Sequence, residues 1–338
     1  MGRMTRQIRG NSRRVAAAMF IVAATSSAGM ITVPAAAAPS ASPALVPQTT
    51  SASRQYVAVA RSGSTQRLHL VDRVSGKVVR TLASARVDGN GEAFADADLA
   101  ADGSVYAVVR TRSGGQYGWQ LVRYSAGRST TILPYVTSVE ASPNGRQLAV
   151  TVVSPDGNRD GKGLEALRIV SPAGKVVRTL TSTAFPVDRR GNPQYETGGL
   201  RVQGWMNAGT LVVRTGCCSD SNVHLVRADV PRSPRTWPTF DGEEDAMALG
   251  AKGTSVLVAR PWMTGDGRVT PFRRAGVEVA WLSAERPRGV VVQRLEGENV
   301  TTETAADALV KKYGATPLFV SAKKFPYRGS GKVVAAHV

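Results

Sequence analysis

Short runs of alternating or continuous apolar residues, each closed by a turn rich in glycine, recur along most of the chain. Val105-Tyr-Ala-Val-Val109, Leu148-Ala-Val-Thr-Val152, Thr210-Leu-Val-Val213 and Ser255-Val-Leu-Val-Ala259 each follow such a turn. Period-2 alternation marks a half-buried strand, and a short unbroken apolar run marks a strand buried on both faces. The preceding turns are Ala101-Asp102-Gly103, Pro143-Asn144-Gly145, Ala208-Gly209 and Lys252-Gly253, with glycines 42, 64 and 44 residues apart. The long interval holds Thr183–Gly199, rich in Pro, Gly and Asn. It reads as one ordinary period plus a surface insertion of roughly 20 residues.

A second signal is an identity. Gly76-Lys-Val-Val-Arg-Thr-Leu82 returns unchanged as Gly174-Lys-Val-Val-Arg-Thr-Leu180, 98 residues later. Each copy closes a strand–turn–strand unit, after Leu68-His-Leu-Val-Asp72 and Leu167-Arg-Ile-Val-Ser171. The spacing is about twice the period of roughly 40–50 residues found in propeller repeats. Four four-stranded units are predicted, at about 93–133, 136–181, 199–239 and 245–295. Residues 54–83 supply three strands and 317–337 two or three more, so strands from both ends close the ring and remove exposed sheet edges. The predicted fold is an all-β propeller of four-stranded antiparallel blades, six by this reckoning, with five or seven open. Thr304 to Gly314 breaks the pattern: a Thr–Asp capping pair, Leu309 and Tyr313 four apart and a terminal Gly predict a short helix between blades.

Ala141-Ser-Pro-Asn-Gly-Arg-Gln-Leu-Ala149 resembles the Ser-Pro-Asp-Gly-Lys-x-Leu-Ala repeat of TolB-like propellers, which are built like WD-repeat propellers. In that motif Pro presets one turn position, Asn or Asp bonds its own backbone, and Gly takes a positive φ. The match is full in one unit and partial in three others. TolB carries an additional N-terminal α/β domain for which this chain has no room. The resemblance implies a secreted bacterial propeller used for recognition, and does not imply membership of the Tol system.

Residues 1–37 read as an export signal. Arg3, Arg6, Arg9, Arg13 and Arg14 form a basic start, Val15–Val33 an apolar stretch, and Ala35-Ala36-Ala37 a cleavage site. Ser12-Arg13-Arg14 also fits the twin-arginine route, although Ala16 stands where an aromatic is usual, so Sec and twin-arginine export both stay open. Residues 38–53 form a Pro-rich linker, expected to be disordered, and residues 54–338 the propeller. The expected location is secreted or wall-associated, with no transmembrane anchor after cleavage. Five of the +18 charges lie in residues 1–37, which leaves +13 on the exported chain. That excess suits an anionic glycan or other envelope polyanion, or simple solubility, and nucleic acid is a poor partner outside the cell.

Candidate chemistry is sparse. Asp98 and Glu140 each stand five residues before their turn glycine, so they are expected at equivalent places on neighbouring innermost strands. With Asp96 and Asp245 they form a candidate ligand-binding set at the channel. Gly204 and Ala248 hold the same place later, so no full ring of carboxylates is expected. Asp156-Gly-Asn158-Arg-Asp160-Gly161 matches the start of a calcium loop, yet Leu167 stands where such a loop has its bidentate Glu. Calcium and a plain hairpin tip are both open there, and no cofactor is required. Cys217 and Cys218 are adjacent, and in an oxidising compartment they form either a strained vicinal disulfide or two thiols. Lys311, Lys312, Lys323, Lys324, Arg328 and Lys332 make the last residues basic. His69, His224 and His337 are the only histidines, and no nucleophile-elbow, zinc-protease or phosphate-loop motif is present. A non-catalytic module binding a protein or envelope ligand is therefore the leading expectation. A metal-dependent propeller hydrolase or lyase with a channel carboxylate site, and a polyanion-binding surface protein, are the alternatives.

Overall fold

The computed structural model describes residues 54–87, 92–113, 116–154, 162–186, 199–216, 222–230, 238–240, 246–264, 273–283, 290–296, 303–318 and 326–337. The expected signal segment and linker, Asp245, the loop with Asp156, Asn158 and Asp160, and the Cys217–Cys218 pair all lie outside the described residues.

Strand pairing gives five antiparallel sheets. The first holds β1 (Gln55–Ser62), β2 (Thr65–Asp72) and β3 (Val78–Arg86). The second runs from β4 (Phe94–Leu99) through β5 (Val105–Ser113) and β6 (Gln116–Ser125) to β7 (Arg128–Pro134). The third comprises β8 (Val136–Ala141), β9 (Leu148–Ser154), β10 (Lys162–Val170) and β11 (Val176–Pro186). The fourth comprises β12 (Arg201–Asn207), β13 (Thr210–Thr215), β14 (Asn222–Arg227) and β15 (Thr239–Phe240). The fifth comprises β16 (Met247–Lys252), β17 (Ser255–Thr264), β18 (Arg273–Ser283) and β19 (Val290–Glu296). After it come the helix α1 (Glu303–Lys312), β20 (Thr316–Pro317) and β21 (Lys332–His337). The repeated heptads open β3 and β11, the outermost strands of sheets two apart, which accounts for the doubled period.

The chain is thus an all-β propeller. Its described residues build five sheets, at the lower end of the range of five to seven read from the sequence. The C-terminal residues do not form a sixth. β21 pairs with β1 and becomes the innermost strand of the first sheet, so the two ends of the domain share one blade. β20 adds to β16 in the fifth sheet, and α1 is the helix expected over 304–314.

The packing follows from the side-chain period of a strand, in which successive residues point to opposite faces. On β5, Val105 and Ala107 join a core with Val57, Val59 and Leu68 of the first sheet. Tyr106 and Val108, which alternate with them in sequence, join Val139, Leu148 and Val150 of the third. On β13, Leu211 and Val213 meet Leu167 and Ile169, while Val212 meets Val256 and Val258 of the fifth sheet. The second strand of each sheet is therefore buried on both faces, which is why these strands read as continuous apolar runs.

Two faces remain, one at each end of this succession. The far face of the fifth sheet, with Leu257, Ala259, Val277 and Val279, is covered by Leu309 and Val310 of α1. The far face of the first sheet, with Tyr56, Ala58 and Val71, is covered by Tyr327 and Val333. The two turn glycines of the repeated heptad show the substitution directly. Gly174 (φ +86°) lies against Ile132 of the preceding blade, where a Cβ would sit 2.7 Å from its Cγ2. Gly76 (φ +70°) lies in the same way against Pro326, where a Cβ would sit 2.5 Å from its carbonyl oxygen. Pro326 takes the place that a preceding blade takes elsewhere.

A test follows from the turn glycines. Gly103 also has a positive φ (+80°), but nothing lies within 4 Å of its missing Cβ. Gly103→Ala should therefore cost only the backbone penalty, roughly 1–2 kcal/mol. Gly76→Ala should cost at least about 1 kcal/mol more, because Pro326 must also move. Urea unfolding of the two variants measures the difference, and equal losses would contradict the packing of Pro326 on this turn.

Candidate functional site

β4, β8 and β12 each pair on one side only, so backbone N–H groups on their other edges need acceptors. β4 supplies them to β8. Asp96 and Asp98, two apart on β4, point to one face, while Ala97 between them points into the apolar core. Asp96 accepts from Ala97 N (3.1 Å) through Oδ1 and from Val139 N (3.1 Å) through Oδ2. Asp98 accepts from Leu99 N (2.8 Å) and from Ala141 N (2.6 Å). Both carboxylates are buried, at 3 % and 7 % exposure.

The same device recurs around the molecule with other side chains. Ser138 Oγ accepts from Val202 N (3.2 Å), tying β8 to β12. Gln66 Oε1 accepts from Ala93 N (2.6 Å), tying β2 to the approach to β4. Glu165 Oε1 accepts from Leu200 N (2.9 Å), and Trp205 Nε1 donates to the carbonyl of Glu140 (3.1 Å). Every innermost strand from β4 to β16 also carries a register shift in its pairing with the next strand, at Phe94/Asp96, Val136/Ser138, Val202/Gly204 and Ala248/Gly250. A bulge adds local twist and turns the inner strand toward its neighbour.

Of the four residues expected at the channel, Asp96, Asp98 and Glu140 come together, and Asp245 lies outside the described residues. Burial is the dominant influence on Asp98 and Glu140, and their mutual charge adds to it. Burial pushes Asp98 up to about 7, with the Ala141 and Leu99 N–H groups pulling it down and Asp96 pushing it further up. Burial, then Asp98 and Asp96, raise Glu140 well above the usual carboxylate range, and Arg201 opposes the shift. Arg201, at the start of β12, is the cation the sequence reading missed. Its Nη2 stands 4.0 Å from Asp96 Oδ1, and its side chain is half exposed.

This arrangement ties strands together more than it offers ligands. Both oxygens of Asp96 and of Asp98 already accept backbone N–H groups. Among the described residues, no group of three or more His, Cys, Asp or Glu is placed to share a metal ion. The two described imidazoles are set between strands. His224 lies between Thr215 Oγ1 (2.6 Å) and Thr239 Oγ1 (2.8 Å), and His69 bonds Thr81 Oγ1 (3.1 Å). Among the described residues no helix is long and apolar enough to cross a membrane.

No protein-family model matches the chain, and no curated protein matches it. Solved structures similar to it are propellers or contain them. TolB from Acinetobacter baumannii is 13 % identical, with TM-score 0.41, over 72 % of this chain and 54 % of that one. The β-propeller domain of the trilobed protease from Pyrococcus furiosus is 9 % identical, with TM-score 0.39, over 60 % and 57 %. Hydrazine synthase from Kuenenia stuttgartiensis is 14 % identical, with TM-score 0.40, over 73 % and 66 %. The chain thus spans between about half and two thirds of the length of these proteins, and its fold rests on its own strand pairing.

The buried carboxylates make stability depend on pH. A carboxyl whose pKa is higher in the folded state binds its proton more tightly there. Its contribution is complete below the ordinary aspartate value of 3.8 and is lost as pH rises through about 7. Folding stability should therefore fall across that window. Glu140→Gln removes a like charge from beside Asp98 and should make the fall shallower. Superimposable stability–pH profiles for the two proteins would contradict the cluster.

Proposed function

We propose that the chain is a non-catalytic binding module, exported and held outside the cell or in its envelope, which engages a protein or envelope ligand through the rim formed by its inner hairpin turns. The observation carrying this reading is that three of those turns are clamped by their own side chains. Asp102 Oδ1 accepts from Ser104 N (2.8 Å), Asn144 Oδ1 from Arg146 N (3.0 Å), and Asn207 Oδ1 from Gly209 N (2.9 Å). Neighbouring turns also touch, since a Cβ on Gly145 would meet Ala101 at 3.6 Å. Loops held in this way lose little conformational freedom on binding, so more of the contact energy appears as affinity. Asp102, Asn144, Arg146 and Lys252 are exposed there and present both signs of charge. Export is supported by the basic start, apolar stretch and Ala-rich cleavage site within residues 1–37.

A binding experiment with a matched control tests this. Chain 38–338 is immobilised and exposed to envelope extract, and the retained ligand is measured for the parent, Arg146→Glu and Arg86→Glu. Arg146 is on the rim, whereas Arg86 is exposed at the end of an outermost strand. Arg146→Glu is expected to reduce retention about tenfold with an unchanged melting temperature, and Arg86→Glu to leave it intact. Equal retention by all three proteins would remove the rim from the proposal.

A further inference from the structure

Residues 326–331 do more than cover the first sheet. With the β2–β3 hairpin they border an open depression of about 420 Å³, lined by His69, Lys77, Thr81, Arg328 and Ser330, with Val78 on its apolar side. The C-terminal wall is fixed to the sheet at several points. Arg328 N donates to the carbonyl of Gly76 (2.7 Å), Tyr56 Oη to that of Pro326 (3.1 Å), and Arg67 Nη1 to Ser330 Oγ (3.4 Å).

His69 is the unusual group in the wall. It is 3 % exposed, its ring lies 6.1 Å from that of Tyr327, and its Nδ1 is 3.1 Å from Thr81 Oγ1. Its Nε2 is buried with no hydrogen-bond partner among the described residues. A buried polar atom left in this state is costly, and most such atoms in folded proteins are paired. Burial, with Arg67 nearby, lowers the imidazole pKa, so the ring is neutral near pH 7. In the tautomer in which the Thr81 hydroxyl donates to Nδ1, Nε2 carries the hydrogen and lacks an acceptor; in the other, Nδ1 donates to Thr81 and Nε2 lacks a donor. Lys77 and Arg328 add only donors, and among the described residues no acidic residue lines the depression.

The repeated hairpin in the third sheet shows what is particular to this place. There Thr179 pairs with Arg168, where the first sheet pairs Thr81 with His69. Its turn glycine packs on Ile132, where the first sheet has Pro326. The depression is therefore a property of His69 and the C-terminal residues together.

We infer that this depression binds a small molecule of about monosaccharide size through an oxyanion group, a phosphate or a carboxylate, held by Lys77 and Arg328 above the His69 ring. A volume of about 420 Å³ falls within the roughly 300–1,000 Å³ of small-ligand pockets. Two cations, with no acidic residue among the described lining residues, suit an anion and reject a cation. The inference is independent of the rim, which carries different residues.

Thermal melts and isothermal titration of chain 38–338 with glucose 6-phosphate, glucuronate and glucose, at matched ionic strength, test it. At least one of the two anions is expected to bind and raise the melting temperature, and glucose is not; which anion binds identifies the oxyanion. Lys77→Ala/Arg328→Ala, which changes two exposed side chains, should weaken that binding by about tenfold or more. Failure of both anions, binding of glucose to the same extent, or equal binding by the double variant would overturn the inference.

Discussion

A β-sheet whose central strands are apolar on both faces needs a neighbour on each side, and this requirement governs the whole chain. In β5, β9, β13 and β17 alternate side chains enter two different cores. Each sheet is therefore stable only between two others, and the succession can end only where a face is covered by something else. Here α1 covers the fifth sheet and residues 326–333 cover the first. The C-terminal part of the chain is thus structural in a specific sense: α1 packs on the apolar face of the fifth sheet and Tyr327 on that of the first. Burial of apolar area supplies the driving force, at roughly 25 cal/mol per Å².

The inner edge imposes a second requirement, because its N–H groups lack a ladder partner. Asp96, Asp98, Ser138, Gln66 and Glu165 provide acceptors across the gaps between sheets. These bonds explain why carboxylates stand so deep in the molecule. The same cluster stores like-charge repulsion among Asp96, Asp98 and Glu140, only partly offset by Arg201. Structural and functional demands thus separate in space. The inner strands carry buried polar groups committed to holding the ring, while the inner turns carry their polar groups at the surface.

Local pattern carried the central sheets well. The unit read at 93–133 is Phe94–Pro134, and that read at 245–295 is Met247–Glu296, because each sheet is contiguous in sequence and punctuated by glycine turns. The joining of strands from both ends was expected and is observed, but the pairing partner was not legible, for a physical reason. β21 pairs with β1 across almost the whole domain, and nothing in Lys332–His337 specifies so distant a partner. The expected positions of Asp98 and Glu140 on adjacent inner strands match the structure. Their surroundings were not legible, since a sequence does not show that a carboxylate accepts an N–H 43 residues away. His69 read only as a strand residue because the depression it lines depends on Arg328 and Ser330.

Removal of residues 326–338 tests this account most directly, with urea unfolding followed by intrinsic fluorescence and by binding of a hydrophobic dye. Loss of β21 and of the cover over Tyr56, Ala58 and Val71 should lower the unfolding midpoint sharply, broaden the transition and expose dye-binding surface in the absence of urea. A truncated chain that unfolds cooperatively at the parent midpoint, without added dye binding, would contradict the claim that the C-terminal segment completes the propeller.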